Sequence, residues 1–406
     1  MDSVDDYLDE ILAAITPLPP RELSLAEAYG AVLAHDVTAQ WALPAFDNSA
    51  MDGYAVRAAE VAAAPVTLPV DGEIAAGDTG GRVLAPGTCI RIMTGAAMPG
   101  GADAVVPVEL TDGGTGRVEI REAVPAGASV RLRGGDAEPG DLLLAAGTRI
   151  GPVQLGLLAA AGLDTALARP RPRVTVISTG NELVPPGQPL VPGQIWESNG
   201  VMLAAAARQA GCAATRYPVV RDDTGAVLAA LQDAAAGADL LITSGGVSMG
   251  AEHDVVKAAL SKLGTVRFRQ VAMQPGMPQG FGTITPGTGD PGTPVFTLPG
   301  NPVSAYVSFL LFVRPALDAL QSLFLKRIAG RPAVLTAPAR SPRGKRSFLR
   351  GILDDEGAEV AQVTPVSGQA SHQLASLARA NVLIVVPEDA TELPAGTRVR
   401  VLELPS

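Results

Sequence analysis

Val4, Leu8, Ile11, Leu12 and Ile15 recur at spacings of three and four, and Pro17, Pro19 and Pro20 end the stripe. That is one apolar face on a 3.6-residue period, so a first helix is predicted over 4–15. A second is predicted over 25–33. From about 55 to 135 the texture changes to short apolar runs between Gly and Pro turns, such as Val66-Thr67-Leu68, Cys89-Ile90-Arg91-Ile92 and Ala104-Val105-Val106. These runs predict an all-β module. Three related turns, Pro86-Gly87-Thr88, Ala146-Gly147-Thr148 and Ala395-Gly396-Thr397, recur at uneven distance and read as shared turn chemistry, not as a repeat. Between about 173 and 320 apolar strands alternate with helical segments. The strands are predicted at 174–177, 217–220, 240–242 and 295–298. The helices are predicted at 202–210, 224–236 with Thr224 as N-cap, 254–263, and from Asn301-Pro302 to about 320. Continuous apolar strands joined by helices imply a parallel sheet covered on both faces, whose ligands gather at the strands' carboxyl ends. After about 331 short strands return at 382–386 and 399–402, which predicts a small C-terminal β domain.

Composition narrows the function classes. The 406 residues are 47% apolar, which supports packed cores and several domains. Net charge is −10, which excludes a generic nucleic-acid binder, since phosphate neutralisation needs a basic surface. Only four of the 31 basic side chains are lysines (Lys257, Lys262, Lys326 and Lys345), and the three histidines are too few for a His-rich metal centre. Acid–base chemistry therefore falls to the carboxylates. Cys89 and Cys212 match no disulfide framework or zinc spacing and read as buried thiols in a reducing cytosol. The acidic start, Met1-Asp2-Ser3-Val4-Asp5-Asp6, is unlike a signal peptide. The longest apolar run, 303–313, is well short of the roughly 20 residues of a bilayer span. A cytoplasmic protein that is not membrane-embedded is expected.

The densest chemical signal is Thr243-Ser244-Gly245-Gly246-Val247-Ser248, followed by His253-Asp254. A buried strand entering Ser-Gly-Gly before a helix offers backbone N–H groups and hydroxyls to an oxyanion. Neither a Walker A loop nor a dinucleotide fingerprint is present. Asp254 reads either as a helix cap or, with the strand-end pair Asp222-Asp223, as a carboxylate holding Mg²⁺ against phosphate. Leu298-Pro299-Gly300-Asn301-Pro302 is a second strand end, with Asn301 as the expected N-cap and Pro302 in the first turn. The loop Phe46-Asp47-Asn48-Ser49-Ala50-Met51-Asp52-Gly53-Tyr54 and the turn Arg131-Leu132-Arg133-Gly134-Gly135-Asp136 add two more polar clusters. Arg340, Arg343, Lys345, Arg346 and Arg350 form a basic cluster that reads as a solvated face or an anion site. His35, His253 and His372 are isolated.

Those segments, with Ile92-Met93-Thr94-Gly95-Ala96 and Ser178-Thr179-Gly180-Asn181-Glu182-Leu183, occur in an order that resembles the molybdopterin molybdenumtransferase family, which includes MoeA proteins and the E domain of gephyrin. The resemblance implies a multidomain α/β plus β fold. Its parts would be an N-terminal helical and dimerisation region (1–45 with 137–170), an inserted β-rich domain (46–136), a MogA-like parallel α/β molybdopterin-binding domain (171–325) and a small barrel-like C-terminal β domain (329–406). It implies a homodimeric transferase that inserts molybdate into adenylylated molybdopterin with Mg²⁺-dependent release of AMP. Carried over by motif, Asp52, Asp136, Asp222 and Asp254 are the catalytic candidates, and Asp222 and Asp254 the metal ligands. Thr94, Glu182, Ser244, Gly245, Gly246, Ser248, Asn301, Pro302, Arg350 and Ser371 are the substrate-binding candidates. A MogA-like adenylyltransferase or a peptide is a possible further partner. One departure stands out: Gln270, Gln274 and Met277 occupy positions where many members carry lysines facing the anionic substrate. Arg267, Arg269 and the 340–350 cluster are the cations available to compensate. A gephyrin-like dimeric scaffold that binds a peptide of a membrane receptor or a cytoskeletal or cell-division protein is the alternative reading, and the set of cleft carboxylates favours the enzyme.

Overall fold

The computed structural model describes residues 1–406 apart from 79–80, 247–254, 264–265, 286–291, 324–329, 356–359 and 406. The chain forms two compact units, one comprising Met1–Leu23, Glu27–Ala34 and Leu167–Ser406, the other Ser24–Ala26 and His35–Ala166. The N-terminal stripe forms α1 (Val4–Ala14), capped by Ser3, whose hydroxyl accepts the Asp6 N–H at 3.0 Å. Val4, Tyr7 and Ile11 are buried, and the Tyr7 ring meets Phe312 edge-on at 4.9 Å. The second predicted helix is cut to Leu25–Ala28. Gly30 turns the chain at φ +79°, and Val32–Leu33 becomes a strand paired with Ala168 and Arg169. A left-handed glycine and a β-branched residue outweigh the apolar spacing there.

In the unit that spans 35–166, the apolar runs form β1 (Gly53–Val56), β2 (Val66–Ile74), β3 (Cys89–Ile92), β4 (Ala104–Pro107) and β5 (Arg117–Ile120), in the sheet order β4-β1-β3-β2-β5. Tyr54, Val56, Cys89, Val106 and Ile120 share its core. Burial pushes the Cys89 thiol up to about 12, which suits a packing residue better than a nucleophile.

The larger unit contains an open sheet built from β6 (Arg173–Ser178), β7 (Ala213–Arg216), β8 (Leu240–Ser244), β9 (Arg267–Gln270), β10 (Pro278–Ile284) and β11 (Thr293–Leu298). The order is β7-β6-β8-β11-β10-β9. The first four strands are parallel, as the alternation predicts. β10 and β9 extend the sheet antiparallel, so the sheet is mixed, not wholly parallel. The strand expected at 217–220 lies four residues earlier, because Pro218 has no N–H to give a ladder. α2 (Asn199–Gln209) and the continuous helix Pro302–Leu320 pack on one face, α3 (Thr224–Gly237) and α4 (Val255–Leu263) on the other. Asp223, not Thr224, caps α3 by accepting the Ala226 N–H at 2.8 Å. Pro302–Leu320 is long and apolar enough to cross a membrane by composition, yet Phe309, Phe312, Val313 and Leu317 bury it in the core.

The same unit ends in β12 (Arg331–Leu335), β13 (Arg346–Asp354), β14 (Gln362–Pro365), the short helix α5 (Leu374–Arg379), β15 (Val382–Val386) and β16 (Arg398–Glu403). The five strands pair in the order β13-β14-β12-β16-β15, and β15 pairs back onto β13, which closes a small barrel. Closure leaves no free edge along that circuit.

Candidate functional site

The candidate residues fall into two groups, one in each unit. In the unit spanning 35–166, Asp52 closes the polar loop before β1. Its Oδ1 accepts the Thr94 hydroxyl at 2.7 Å and the Thr94 N–H at 2.6 Å. Those two bonds, the hydroxyl first, hold the Asp52 carboxyl below the usual carboxylate range. Asp52 and Thr94, separate in sequence, are thus one feature. Asp136 follows the turn in which Gly134 has φ +73°. The turn is pinned to the Asp47 loop by the Arg133 N–H, which donates to Asp47 Oδ1 at 2.7 Å. Asp136 lines a cavity of about 530 Å³ with Ala137, Asp141, Leu142, Leu143 and Leu157.

In the larger unit the polar residues line the carboxyl edge of the sheet. Asp222 and Asn181 exchange bonds: the Asn181 N–H donates to Asp222 Oδ2 at 3.0 Å, and the Asp222 N–H to Asn181 Oδ1 at 3.2 Å. The loop that carries Glu182 is therefore tied to the loop that carries Asp222. β8 ends at Ser244, and the chain turns through Gly245 (φ +94°) and Gly246 (φ +82°). Only glycine takes two successive left-handed positions at no steric cost. The Gly245 N–H donates to Leu298 O at 3.0 Å, so the first amide of the expected anion nest is spent inside the sheet. Ser248 and Asp254 lie outside the described residues, as does His253.

Asn301 precedes Pro302 at the helix start, but its side chain makes no capping bond. Instead Asn301 Nδ2 donates to Ser371 Oγ at 3.0 Å, and the Val303 N–H donates to Ser371 O. The sheet edge is thereby joined to the segment before α5, next to the barrel. Arg350, on β13, is fully buried. Its Nη2 donates to Gly368 O at 2.6 Å and to Ala370 O at 3.2 Å. Nε and Nη1 are buried without a hydrogen-bond partner among the described residues, and desolvation pulls the guanidinium pKa down. A buried cation with two unused donors is costly unless an anion meets it.

Four of the other cations named in the sequence are already engaged. Arg269 pairs with Asp2 at 2.8 Å and Glu10 at 2.9 Å, and Arg267 faces Glu10 at 3.6 Å. Arg346 pairs with Asp5 and Glu388, each at 2.9 Å, and Arg340 with Glu392 at 3.3 Å. Arg340 and Arg346 of the basic cluster are therefore paired at the surface, and the buried Arg350 stands apart from them. Gln274 is exposed, while Gln270 and Met277 are half-buried.

Sequence reasoning missed two residues just before and at the start of α2. Asn199 Nδ2 donates to Ser244 Oγ at 2.8 Å and to Gly300 O at 2.7 Å, which ties the ends of β8 and β11 together. Glu197, buried, accepts from the Ser178 hydroxyl at 3.0 Å, from the Gly200 N–H, and from Arg216 at 3.2 Å. Their only signal was the string Glu197-Ser198-Asn199-Gly200 ahead of a helix, which is ordinary start chemistry.

Three family profiles match in chain order. They are the MoeA N-terminal region (domain I and II) over 2–162, a probable molybdopterin binding domain over 175–319, and the MoeA C-terminal region (domain IV) over 332–404. The chain is 48% identical over 414 residues to molybdopterin molybdenumtransferase 2 of Mycobacterium tuberculosis, with 100% of each chain covered. It is 36% identical to the molybdopterin molybdenumtransferase of Bacillus subtilis, over 94% of this chain and 89% of that one. A solved molybdopterin biosynthesis MoeA protein from Pyrococcus horikosii superposes with a TM-score of 0.75 at 32% identity, over 99% of this chain and 98% of that one.

Proposed function

Because the chain belongs to the MoeA family of molybdopterin molybdenumtransferases, enzymes of molybdenum cofactor biosynthesis, we propose that it inserts molybdate into adenylylated molybdopterin with Mg²⁺-dependent release of AMP. The observation that carries this reading is a continuous polar strip in the larger unit. It runs from Ser244 through Asn199 and Gly300 to Asn301 and Ser371, and ends beside Arg350. A substrate bearing a pyrophosphate and receiving an oxyanion needs such donors and at least one cation. Arg350 supplies the cation, and with Gln270, Gln274 and Met277 in place of lysines its share of the anion binding is large. A charge-assisted hydrogen bond there is worth about 1.5–3 kcal/mol.

Asp222 fits a role in holding Mg²⁺: it offers hard carboxylate oxygen, the donor type this ion selects, and one Asn181 N–H sets its orientation. When bound, the ion would reduce the charge that repels water from the phosphate. Ser244 and Gly246 receive phosphate oxygens, and Glu182, on the loop tied to Asp222, lies along the substrate's path. Asp52, kept ionised by Thr94, accepts a proton from water or from a thiol whose sulfur is binding molybdenum. Asp136 shares that work.

The protein acts as a cytoplasmic homodimer in which one protomer brings Asp52, Thr94 and Asp136 to a cleft shared with its partner. An apolar groove of about 1100 Å³ beside the exposed Trp196 and Val201 supports self-association. The scaffold reading is not favoured, since the curated relatives are transferases. The test is to mix purified protein with adenylylated molybdopterin, Mg²⁺ and molybdate and follow AMP. Release that needs Mg²⁺, and that Asp222→Ala makes dependent on much higher Mg²⁺, is expected. No release from the unaltered protein rejects the reading.

A further inference from the structure

Asn199 joins the polar strip without a role of its own assigned so far, yet its geometry fixes the state of a residue that has one. Its Nδ2 lies 2.7 Å from Gly300 O and 2.8 Å from Ser244 Oγ. A backbone carbonyl only accepts, so the group facing Gly300 is the amide NH₂. The same NH₂ faces Ser244, whose oxygen is therefore also an acceptor, with its own O–H turned elsewhere. Flipping the amide would set Oδ1 against the Gly300 carbonyl, so the orientation is locked. It is kept although Asn199 Oδ1 is buried with no hydrogen-bond partner among the described residues, an arrangement that serves something other than the residue's own bonding. The segment itself is held firmly, because Glu197 takes the Gly200 N–H, the Ser178 hydroxyl and Arg216 one turn away.

We infer that Asn199 is a positioning residue for substrate binding: it holds Ser244 Oγ as an acceptor, so that the Ser244 O–H donates to an anionic oxygen of the phosphorylated pterin. This rests on the reading that the substrate's anionic part meets these strand ends. Asn199 touches no substrate itself and acts through Ser244. An alanine at 199 leaves the hydroxyl free to rotate, and an aspartate reverses the bond, since its carboxylate accepts the hydrogen bond of the Ser244 O–H.

The test is steady-state AMP release from adenylylated molybdopterin with Mg²⁺ and molybdate, for Ser244→Ala, Asn199→Ala, Asn199→Asp and the Ser244→Ala/Asn199→Ala double variant. Ser244→Ala is expected to raise KM roughly tenfold, the loss of one hydrogen bond to a charged group. Asn199→Ala is expected to raise KM nearly as far with kcat less affected, and the double variant to go no further. Asn199→Asp is expected to exceed Asn199→Ala. A purely architectural Asn199 would give effects that multiply with those of Ser244→Ala, and that result overturns the inference, as does a wild-type KM in Asn199→Ala. Should Asn199→Ala fail to fold, the isosteric Asn199→Asp decides, and a wild-type KM there overturns the inference. No AMP from the unaltered enzyme rejects the functional reading first. AMP from the unaltered enzyme together with an unaffected Ser244→Ala rejects this inference alone.

Discussion

Arg350→Met separates binding from stability in a way few substitutions do. Among the described residues the guanidinium makes two hydrogen bonds, from Nη2 to the Gly368 and Ala370 carbonyls, and leaves Nε and Nη1 buried without partners. Losing two bonds from a charged group costs about 3–6 kcal/mol, at roughly 1.5–3 kcal/mol each. Removing two unsatisfied buried donors returns about 2–6 kcal/mol, at roughly 1–3 kcal/mol each. Methionine fills much of the same volume with a flexible apolar chain. The two terms roughly cancel, so the stability of the free protein is expected to change by less than about 2 kcal/mol. Substrate binding, in contrast, loses a charge-assisted contact of about 1.5–3 kcal/mol, a KM increase of tenfold or more. Urea unfolding of the ligand-free protein, followed by a probe in the barrel, and AMP-release kinetics read the two quantities separately. A variant destabilised by more than about 2 kcal/mol would show that the guanidinium is satisfied where it lies, and would refute the reasoning.

Thr94→Val removes the first cause of the depressed Asp52 pKa, so that pKa rises toward the ordinary carboxylate value, as a ¹³C titration of the Asp52 carboxyl would show. The sign follows from the direction. A lowered folded pKa contributes stability above the unfolded value that is lost as pH falls through the folded one, and the acid limb of activity should shift to higher pH in the variant. Glu197→Ala strands Arg216, the Ser178 hydroxyl and the Gly200 N–H, and is expected to cost about 3 kcal/mol in urea unfolding. Glu197→Gln keeps an acceptor for the last two, so its cost should be about 1 kcal/mol. Gly53→Ala places a Cβ against the Val106 carbonyl across β1 and β4, and a loss above about 3 kcal/mol is expected by thermal melting, with faster proteolysis within 46–136.

The strands and helices with strong periodicity were legible because their signal is local. α1, β8, β11 and the Pro302–Leu320 helix lie where the apolar spacing puts them. The helix expected over 25–33 stops at Ala28 because a left-handed glycine, Gly30, redirects the chain. β9 and β10 were invisible as strands, since their antiparallel place depends on β11, not on their own pattern. The site divides in the same way. Asp52, Asp222, Ser244 and Asn301 stand out in sequence because Gly, Pro and Asn mark the turns that hold them. Asn199 and Glu197 do not, because their meaning comes from what lies across the sheet edge. Asn301 looked like a cap and proved to be a bridge to Ser371. Sequence shows how many arginines are available to replace lysine but not their partners: Asp2, Asp5, Glu10, Glu388 and Glu392 hold Arg267, Arg269, Arg340 and Arg346.

The most direct measurement is the molybdenum bound to pterin per AMP released, when the purified protein turns over adenylylated molybdopterin with Mg²⁺ and molybdate and the product is passed to an apo-molybdoenzyme. One molybdenum per AMP, with activity restored to the acceptor enzyme, is the predicted result. AMP release with no molybdenum retained, or no release at all, would contradict it.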